Sequence, residues 1–344
     1  MTLYPHLFLK NVMQENNKLP RRRLLQLGLG ATAGLLTTGL GCNNNSTTTA
    51  ATAANCAVTP EQDLGPFYPL TQGADEDIDL TFVKGSTERA AGQIILVRGR
   101  ILDDNCQPIK NALVEIWSAN THGRYHHERD ENPKPLDPNF QGWGEMTTND
   151  AGEYGFKTIK PGAYAWGNPE DPKEWRTPHI HFKVSRRGYH EIITQMYFSG
   201  EKLNETDMVM AELPESERAQ FILTPTTDEA NTPVFAFDIT LKQVRSKEQR
   251  LDALAAFAGK YELPDEADWL KTMTIRQDGE QLYLDIPDYT AVELKPLGKD
   301  EFLVQPIYRR LVFSRNAEGK VDGLIAHDTA KYEAKEPKTG KRIV

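Results

Sequence analysis

The chain predicts a mainly β fold, an antiparallel β-sandwich followed by a small β-barrel or half-barrel. Three observations carry this. Short alternating runs rich in β-branched residues recur from residue 94 to 241, separated by Gly, Pro, Asn and Asp clusters. Two connections in that stretch, 126–145 and 160–178, are long for a compact domain. Beyond residue 246 the texture changes to shorter runs with frequent turns.

The sandwich elements follow in order. Residues 94–102 alternate apolar and polar positions and read as the first strand. The turn-forming Asp103-Asp104-Asn105 and Pro108 separate it from a second apolar run at 113–117. Runs at 154–159, 180–184, 192–198 and 235–241 complete the series. Residues 246–258 read as a linker helix: Ser246 and Gln249 form a capping box, Leu251, Leu254, Ala255 and Ala258 share a face, and Gly259 ends it. Gln277-Asp278-Gly279-Glu280 is a hairpin signal between 273–276 and 281–286, and runs at 301–305, 310–314 and 322–327 continue a meander. This divides the globular part into 58–245 and 246–344, the latter loosely resembling a lipocalin-like module with no catalytic constellation of its own.

The N-terminal 42 residues read as a targeting segment. Arg21-Arg22-Arg23 precedes a weakly apolar, charge-free run at 24–40, shorter and less apolar than the roughly 20 residues that a spanning helix needs. Paired arginines before such a run resemble a twin-arginine export signal. Leu40-Gly41-Cys42 looks like a lipoprotein cleavage site, which would leave Cys42 acylated and tethered to a membrane. Residues 43–57, mostly Asn, Thr and Ala, form the expected linker. An exported protein meets an oxidising compartment, so Cys56 and Cys106 are candidates for a disulfide. The net charge of −9, with no basic stripe outside the N-terminus, argues against nucleic acid as the main partner.

The chemistry concentrates in the long loops and in His179-Ile180-His181. Side chains alternate along a strand, so the two imidazoles point the same way and can chelate one metal. Alone, this is also the pattern of an ordinary edge pair. A carboxylate at the position a cupin would use is missing, since Ser185 and Arg186 stand there. A structural zinc site lacks the cysteine pair it needs. Both long loops carry tyrosines instead, in Gly123-Arg124-Tyr125-His126-His127 and Pro161-Gly162-Ala163-Tyr164. Tyrosinate is a hard anionic donor suited to ferric iron, although either tyrosine alone would be an ordinary rim aromatic.

Taken together, these stretches resemble the intradiol ring-cleavage dioxygenases, particularly the protocatechuate 3,4-dioxygenase β-chain type. The resemblance runs through Leu64-Gly65-Pro66-Phe67-Tyr68, Ala112-Leu113-Val114-Glu115-Ile116-Trp117 and Gly123-Arg124-Tyr125. It continues through Asp137-Pro138-Asn139-Phe140-Gln141-Gly142-Trp143-Gly144 and Thr158-Ile159-Lys160-Pro161-Gly162-Ala163-Tyr164. Its last parts are Trp175-Arg176-Thr177-Pro178-His179-Ile180-His181-Phe182 and Thr194-Gln195-Met196-Tyr197-Phe198. The resemblance implies one non-haem Fe(III) held by Tyr125, Tyr164, His179 and His181, and O2-dependent cleavage of a catechol, protocatechuate or hydroxyquinol ring to a cis,cis-muconate-type product. It also implies that Tyr164 takes up a substrate proton, Arg176 stabilises the carbanion-like ring and Gln195 lies on the oxygen side. Tyr68 and Trp166 are the expected substrate contacts. The Tyr164-to-His179 spacing is longer than in the β-chain type, through 168–173, so the family's substrate does not transfer.

Two other readings stay open. A tethered sandwich binding aromatics or carbohydrate would show the same strands without catalysis, and a zinc hydrolase would use the His pair differently. Arg176 in a salt bridge, Gln195 bonded to backbone and His126 or His127 as ligands are the corresponding local alternatives.

Overall fold

The computed structural model describes residues 56–69, 77–244, 251–264, 270–286, 290–330 and 336–344. The Arg21–23 run, Cys42, Ser246 and Gln249 lie outside the described residues. The sandwich strands are β1 (Ile94–Asp103), β2 (Leu113–Trp117), β3 (Trp143–Thr147), β4 (Glu153–Ile159), β5 (Tyr164–Ala165), β6 (Trp175–Arg176), β7 (His179–Ser185) and β8 (Ile192–Phe198). The series ends with β9 (Ile222–Leu223), β10 (Thr226–Thr227), β11 (Pro233–Ala236) and β12 (Ile239–Leu241). One sheet runs β3-β2-β7-β8-β9; the other runs β10-β11-β1-β12, with β4 also paired to β1. Most pairings are antiparallel, but β1 runs parallel to both β11 and β12, and β8 to β9. The apolar run at 235–241 is thus two strands, divided where Asp238 turns its carboxylate onto Arg100 N and Nη2.

The sandwich core lies between the sheets. Tyr154, Phe182 and Phe237 meet edge-on in it, and Tyr154 Oη donates to Phe237 O at 2.5 Å. Along β7, Ile180, Phe182 and Val184 are fully buried. Strand alternation therefore puts His179, His181 and Lys183 on the opposite face. Their cross-strand neighbours there are Trp117 and Glu115 on β2, and Tyr197, Gln195 and Ile193 on β8. The outer face of this sheet, not the sandwich core, carries the polar cluster.

The second part is a closed eight-stranded barrel in which each strand pairs with the next. Its strands are β13 (Gly259–Glu262), β14 (Thr272–Asp278), β15 (Gln281–Asp285), β16 (Ala291–Gly298), β17 (Glu301–Val304), β18 (Arg309–Arg315), β19 (Val321–Asp328) and β20 (Lys338–Arg342). The hairpin at Asp278-Gly279 forms as expected, with Gly279 at φ +59°. The preceding helix, Leu251–Ala255, is shorter than the expected 246–258 within the described residues. Phe257, Tyr261, Phe302 and Phe313 fill the barrel interior edge to face.

The barrel docks on the outer face of β7. Lys183 Nζ donates to Thr290 Oγ1 at 2.6 Å and to Ala291 O at 3.1 Å, and His190 Nδ1 lies 2.6 Å from Glu293 Oε1. Lys295 Nζ pairs with Glu61 Oε1 at 2.6 Å. Leu64 N donates to Pro306 O, and Leu64, Trp117, Tyr125 and Tyr164 share one buried apolar cluster with the barrel residues. Cys56 and Cys106 form a disulfide, which pins the start of the described chain to the β1–β2 connection.

Glu191 is buried at this junction, with Lys183 Nζ 3.8 Å away. Burial pushes its carboxyl up to about 7, against the pull of Lys183 and with the push of Glu293 and Glu115. A carboxyl whose folded pKa exceeds its unfolded value takes up a proton on folding, so its contribution falls as pH rises from the unfolded value near 4.5 to about 7 and is level above that. Glu191→Gln is expected to raise stability at pH 8 by on the order of 1–3 kcal/mol and to change little at pH 4. Urea unfolding at the two pH values checks this, and an equal effect at both would contradict it.

Candidate active site

Four polar side chains converge on the outer face of β7. Tyr125 Oη lies 3.2 Å from His179 Nε2, and His179 Nε2 lies 3.1 Å from His181 Nε2. The Tyr125 and Tyr164 rings meet edge-on at 5.6 Å. All four residues are buried. Among the described residues no group of three or more His, Cys, Asp or Glu is placed to hold a metal. This donor set is half phenol.

Local sequence explains the convergence. Gly123 has φ +80°, and a Cβ there would stand 2.2 Å from Ala163 O; a Cβ on Gly162 would stand 2.4 Å from Thr121 O. The two tyrosine loops therefore touch backbone to backbone, each glycine two residues before its tyrosine. Gly162 N donates to Asn120 O, which joins them further. Asp130 Oδ2 accepts from Tyr125 N, Asn120 Oδ1 from His122 N and Arg124 N, and Asn132 Nδ2 donates to Gly123 O. Gly123→Ala is expected to cost about 1–3 kcal/mol through its backbone conformation, plus the clash with Ala163, and to cut metal uptake. Urea unfolding with metal analysis of the variant checks both.

The histidines are fixed from behind. Trp117 stacks on His181 at 4.7 Å and 6°, while a Cβ on Gly65 would be 3.2 Å from His181 Cε1, so the ring is gripped between them. His179 Nδ1 lies 2.7 Å from Thr177 O; donating there, it leaves the Nε2 lone pair facing the cluster. Burial lowers both imidazoles well below the ordinary range, with Arg176 adding to it and His179 also acting on His181. Burial lifts Tyr125 well above the ordinary phenol range, with Tyr164 next in effect, and lifts Tyr164 to about 12 against the pull of Arg176. Two neutral imidazoles and two protonated phenols in a dry pocket suit a hard, highly charged cation that displaces the phenol protons.

Arg176 stands opposite Tyr164 in the β5–β6 ribbon. Its Nε donates to Asp207 Oδ2 at 2.9 Å, and Nη2 donates to Gln195 Oε1 at 2.7 Å. Burial opposes its charge, but Asp207 and the nearby phenols hold its pKa well above the usual guanidinium value. Asp207 itself caps the helix Met208–Glu212 and accepts from Thr177 N. Arg176 is thus in a salt bridge and beside the four-residue cluster at once. Gln195 Oε1 also accepts from Tyr197 Oη at 3.0 Å, and Nε2 donates to Asp63 O at 2.7 Å. Gln195 orients Arg176; it is a positioning residue here.

Tyr68 departs from expectation. Its hydroxyl donates to Glu115 Oε1 at 2.5 Å and its ring lies edge-on against Trp117 at 5.0 Å, on the barrel side under Lys183. The neighbouring Phe67 takes the cavity position, 4.8 Å from the Tyr125 ring and 6.3 Å from Tyr164. Trp166 does line the cleft, with Tyr164, Arg176 and Asp63. His126 is exposed, and His127 Nδ1 accepts from Arg129 N, so the ring atoms meeting at the cluster come from His179 and His181. Sequence reasoning missed Asp207, Asp63, Asp130 and Phe67. Asp207 had a readable signal, a helix cap before an apolar run.

A family model described as "Dioxygenase" (Dioxygenase_C) matches residues 64–243, just over half of the chain and all four residues of the cluster. The chain is a member of the intradiol ring-cleavage dioxygenase family. It is similar to the protocatechuate 3,4-dioxygenase beta chain of Burkholderia cepacia, with 41% identity over 185 residues, 53% of this chain and 74% of that one. It is also similar to the catechol 1,2-dioxygenase of Acinetobacter baylyi, 31% identical over 203 residues, which cover 55% of this chain and 63% of the relative. The hydroxyquinol 1,2-dioxygenase of a Rhizobium species is 30% identical over 174 residues, 46% of this chain and 53% of its own. The family match ends at residue 243, before the first barrel strand.

Proposed function

We propose that this dioxygenase opens a catechol-type ring between its two hydroxylated carbons with O2, at a ferric ion held by Tyr125, Tyr164, His179 and His181. The observation that carries this reading is the meeting of two imidazole Nε2 atoms and a phenol oxygen, each within 3.2 Å of the next, with the Tyr164 ring edge-on to the Tyr125 ring at 5.6 Å. Catechol-type substrates are what the relatives named above act on. Ferric iron, when bound, supplies a Lewis acid that lowers the pKa of phenols and draws electron density from a coordinated ring. The chain's own residues do the rest. Tyr164 Oη, at the cleft end of the cluster, would lose its proton when the ferric ion is bound and, as a phenolate, would accept a proton from the entering diol. Arg176 faces the same end and offsets negative charge that builds on the ring carbon attacked by O2. Asp207 and Gln195 keep the guanidinium in that orientation, and Phe67, Trp117 and the barrel keep water out. Both oxygen atoms of O2 end in the product, a cis,cis-muconate-type diacid.

The test is the visible spectrum of the iron-loaded protein. A broad tyrosinate-to-iron(III) absorption that shifts on anaerobic addition of a catechol is expected, with Tyr164→Phe altering the band and lowering turnover at least about a hundredfold. A protein that stays colourless after iron reconstitution rejects the reading.

We also propose that the protein is exported and tethered through Cys42. The Arg21-Arg22-Arg23 run before an uncharged segment supports export, and the Cys56–Cys106 disulfide is of the kind that persists in oxidising compartments. Replacing Arg21 and Arg22 together by Lys should leave the protein in the cytoplasm, and Cys42→Ala should release it from the membrane fraction. Unchanged fractionation of both variants would refute this.

A further inference from the structure

The cleft that reaches Tyr164 and Arg176 is far larger than one catechol ring. Its volume is about 1420 Å3, above the ~300–1,000 Å3 typical of pockets that bury drug-sized ligands. It has a clear polarity of depth. At one end stand buried Tyr164 and Arg176; at the other stand Trp166, Pro169 and Lys173, all exposed. The β5–β6 ribbon connects the two ends, since Tyr164 pairs with Arg176 and Ala165 with Trp175. Trp166 follows directly, its N–H tied to Glu174 O at 2.9 Å.

Two indoles line the cleft near this ribbon, Trp175 across from Ala165 and Trp166 next along the chain, and they differ in how they are held. Trp175 is pinned: its Nε1 donates to Pro169 O at 2.9 Å, and Lys134 Nζ lies 5.4 Å from its ring centroid. Trp166 is 51% exposed, a large apolar ring offered to the cleft. Charges on the wall are mixed. Arg129, Lys134 and Lys173 share it with Asp130, Glu131, Glu205 and Glu212. No single sign dominates, so nothing in the outer cleft selects a carboxylate substituent; an exposed indole selects an uncharged aromatic one.

We propose that the substrate is a catechol extended by a second, uncharged aromatic ring. The diol ring sits at Tyr164 and Arg176, and the distal ring stacks on Trp166. This rests on the ring-cleaving reading above. Binding energy from the distal ring acts away from the bonds that change, so it sets which catechol is used.

The experiment compares 4-phenylcatechol, which carries the distal ring, with 4-methylcatechol, which does not. The iron-loaded full chain and its Trp166→Ala and Trp166→Phe variants are assayed for kcat/KM. In parallel, anaerobic titrations followed by tryptophan fluorescence give Kd on iron-loaded and iron-free protein. The wild type is expected to favour 4-phenylcatechol by about tenfold in kcat/KM and in Kd, the size of one good aromatic contact with its buried area. Trp166→Ala should bring that ratio to about one, and Trp166→Phe should keep most of it. A ratio near one in the wild type, or a ratio unmoved by Trp166→Ala, overturns the proposal. If neither diol is turned over, the ring-cleaving reading fails, and the Kd ratio on the same proteins still decides whether the distal ring lodges on Trp166.

Discussion

Two neutral imidazoles and two protonated phenols are buried within reach of one another, on the face of a sheet that has no carboxylate at the cluster. Burying polar groups this way is unfavourable unless each is satisfied or a cation arrives to use the lone pairs. Much of the surrounding structure can be understood as what holds that arrangement. Trp117 and Gly65 grip His181 from two sides. Thr177 O fixes the orientation of His179. Gly123 and Gly162 let two loop backbones approach closely enough for their tyrosines to meet. Each of these residues removes a degree of freedom from a side chain of the cluster.

A second, buried charge stands beside the cluster. Arg176 stays charged in a dry setting because Asp207 compensates it, and Asp207 is itself satisfied by two helix N–H groups and Thr177 N. Such a pair contributes modestly to stability once desolvation is counted. What it supplies is a fixed field at the end of the cleft. Gln195, hydrogen-bonded to Arg176, Tyr197 and Asp63, couples that field to β8 and to the segment that contributes Gly65 and Phe67.

The legible parts of the sequence were those in which a local pattern has one physical meaning. β2 and β8 fall at 113–117 and 192–198 because continuous apolar runs between turn residues have few other uses. The His pair on β7 and its common face follow from strand alternation alone. The barrel's closing strands were not legible. Gly259–Glu262 and Lys338–Arg342 carry outward Lys, Glu and Arg and few apolar residues, and their mutual pairing is fixed only by closure of the whole barrel. Which of Phe67 and Tyr68 faces the cluster was not legible for a related reason. Adjacent side chains in an extended segment point opposite ways, so Phe67 meets Tyr125 while Tyr68 turns to Glu115. Sequence gives the pair but not which member faces in.

The barrel's place follows from the same face of β7. His179, His181 and Lys183 alternate along one side of the strand; the first two enter the cluster, and the third is capped by Thr290 and Ala291 from the barrel. Tyr68, between Glu115 and Trp117, joins the barrel junction to the indole that stacks on His181. The barrel interior is filled by its own aromatic residues, while its outside covers polar sheet surface that would otherwise admit water next to His181. Its physical role is thus that of a wall on one side of the cluster, and the broad cleft past Tyr164 and Trp166 lies open on another.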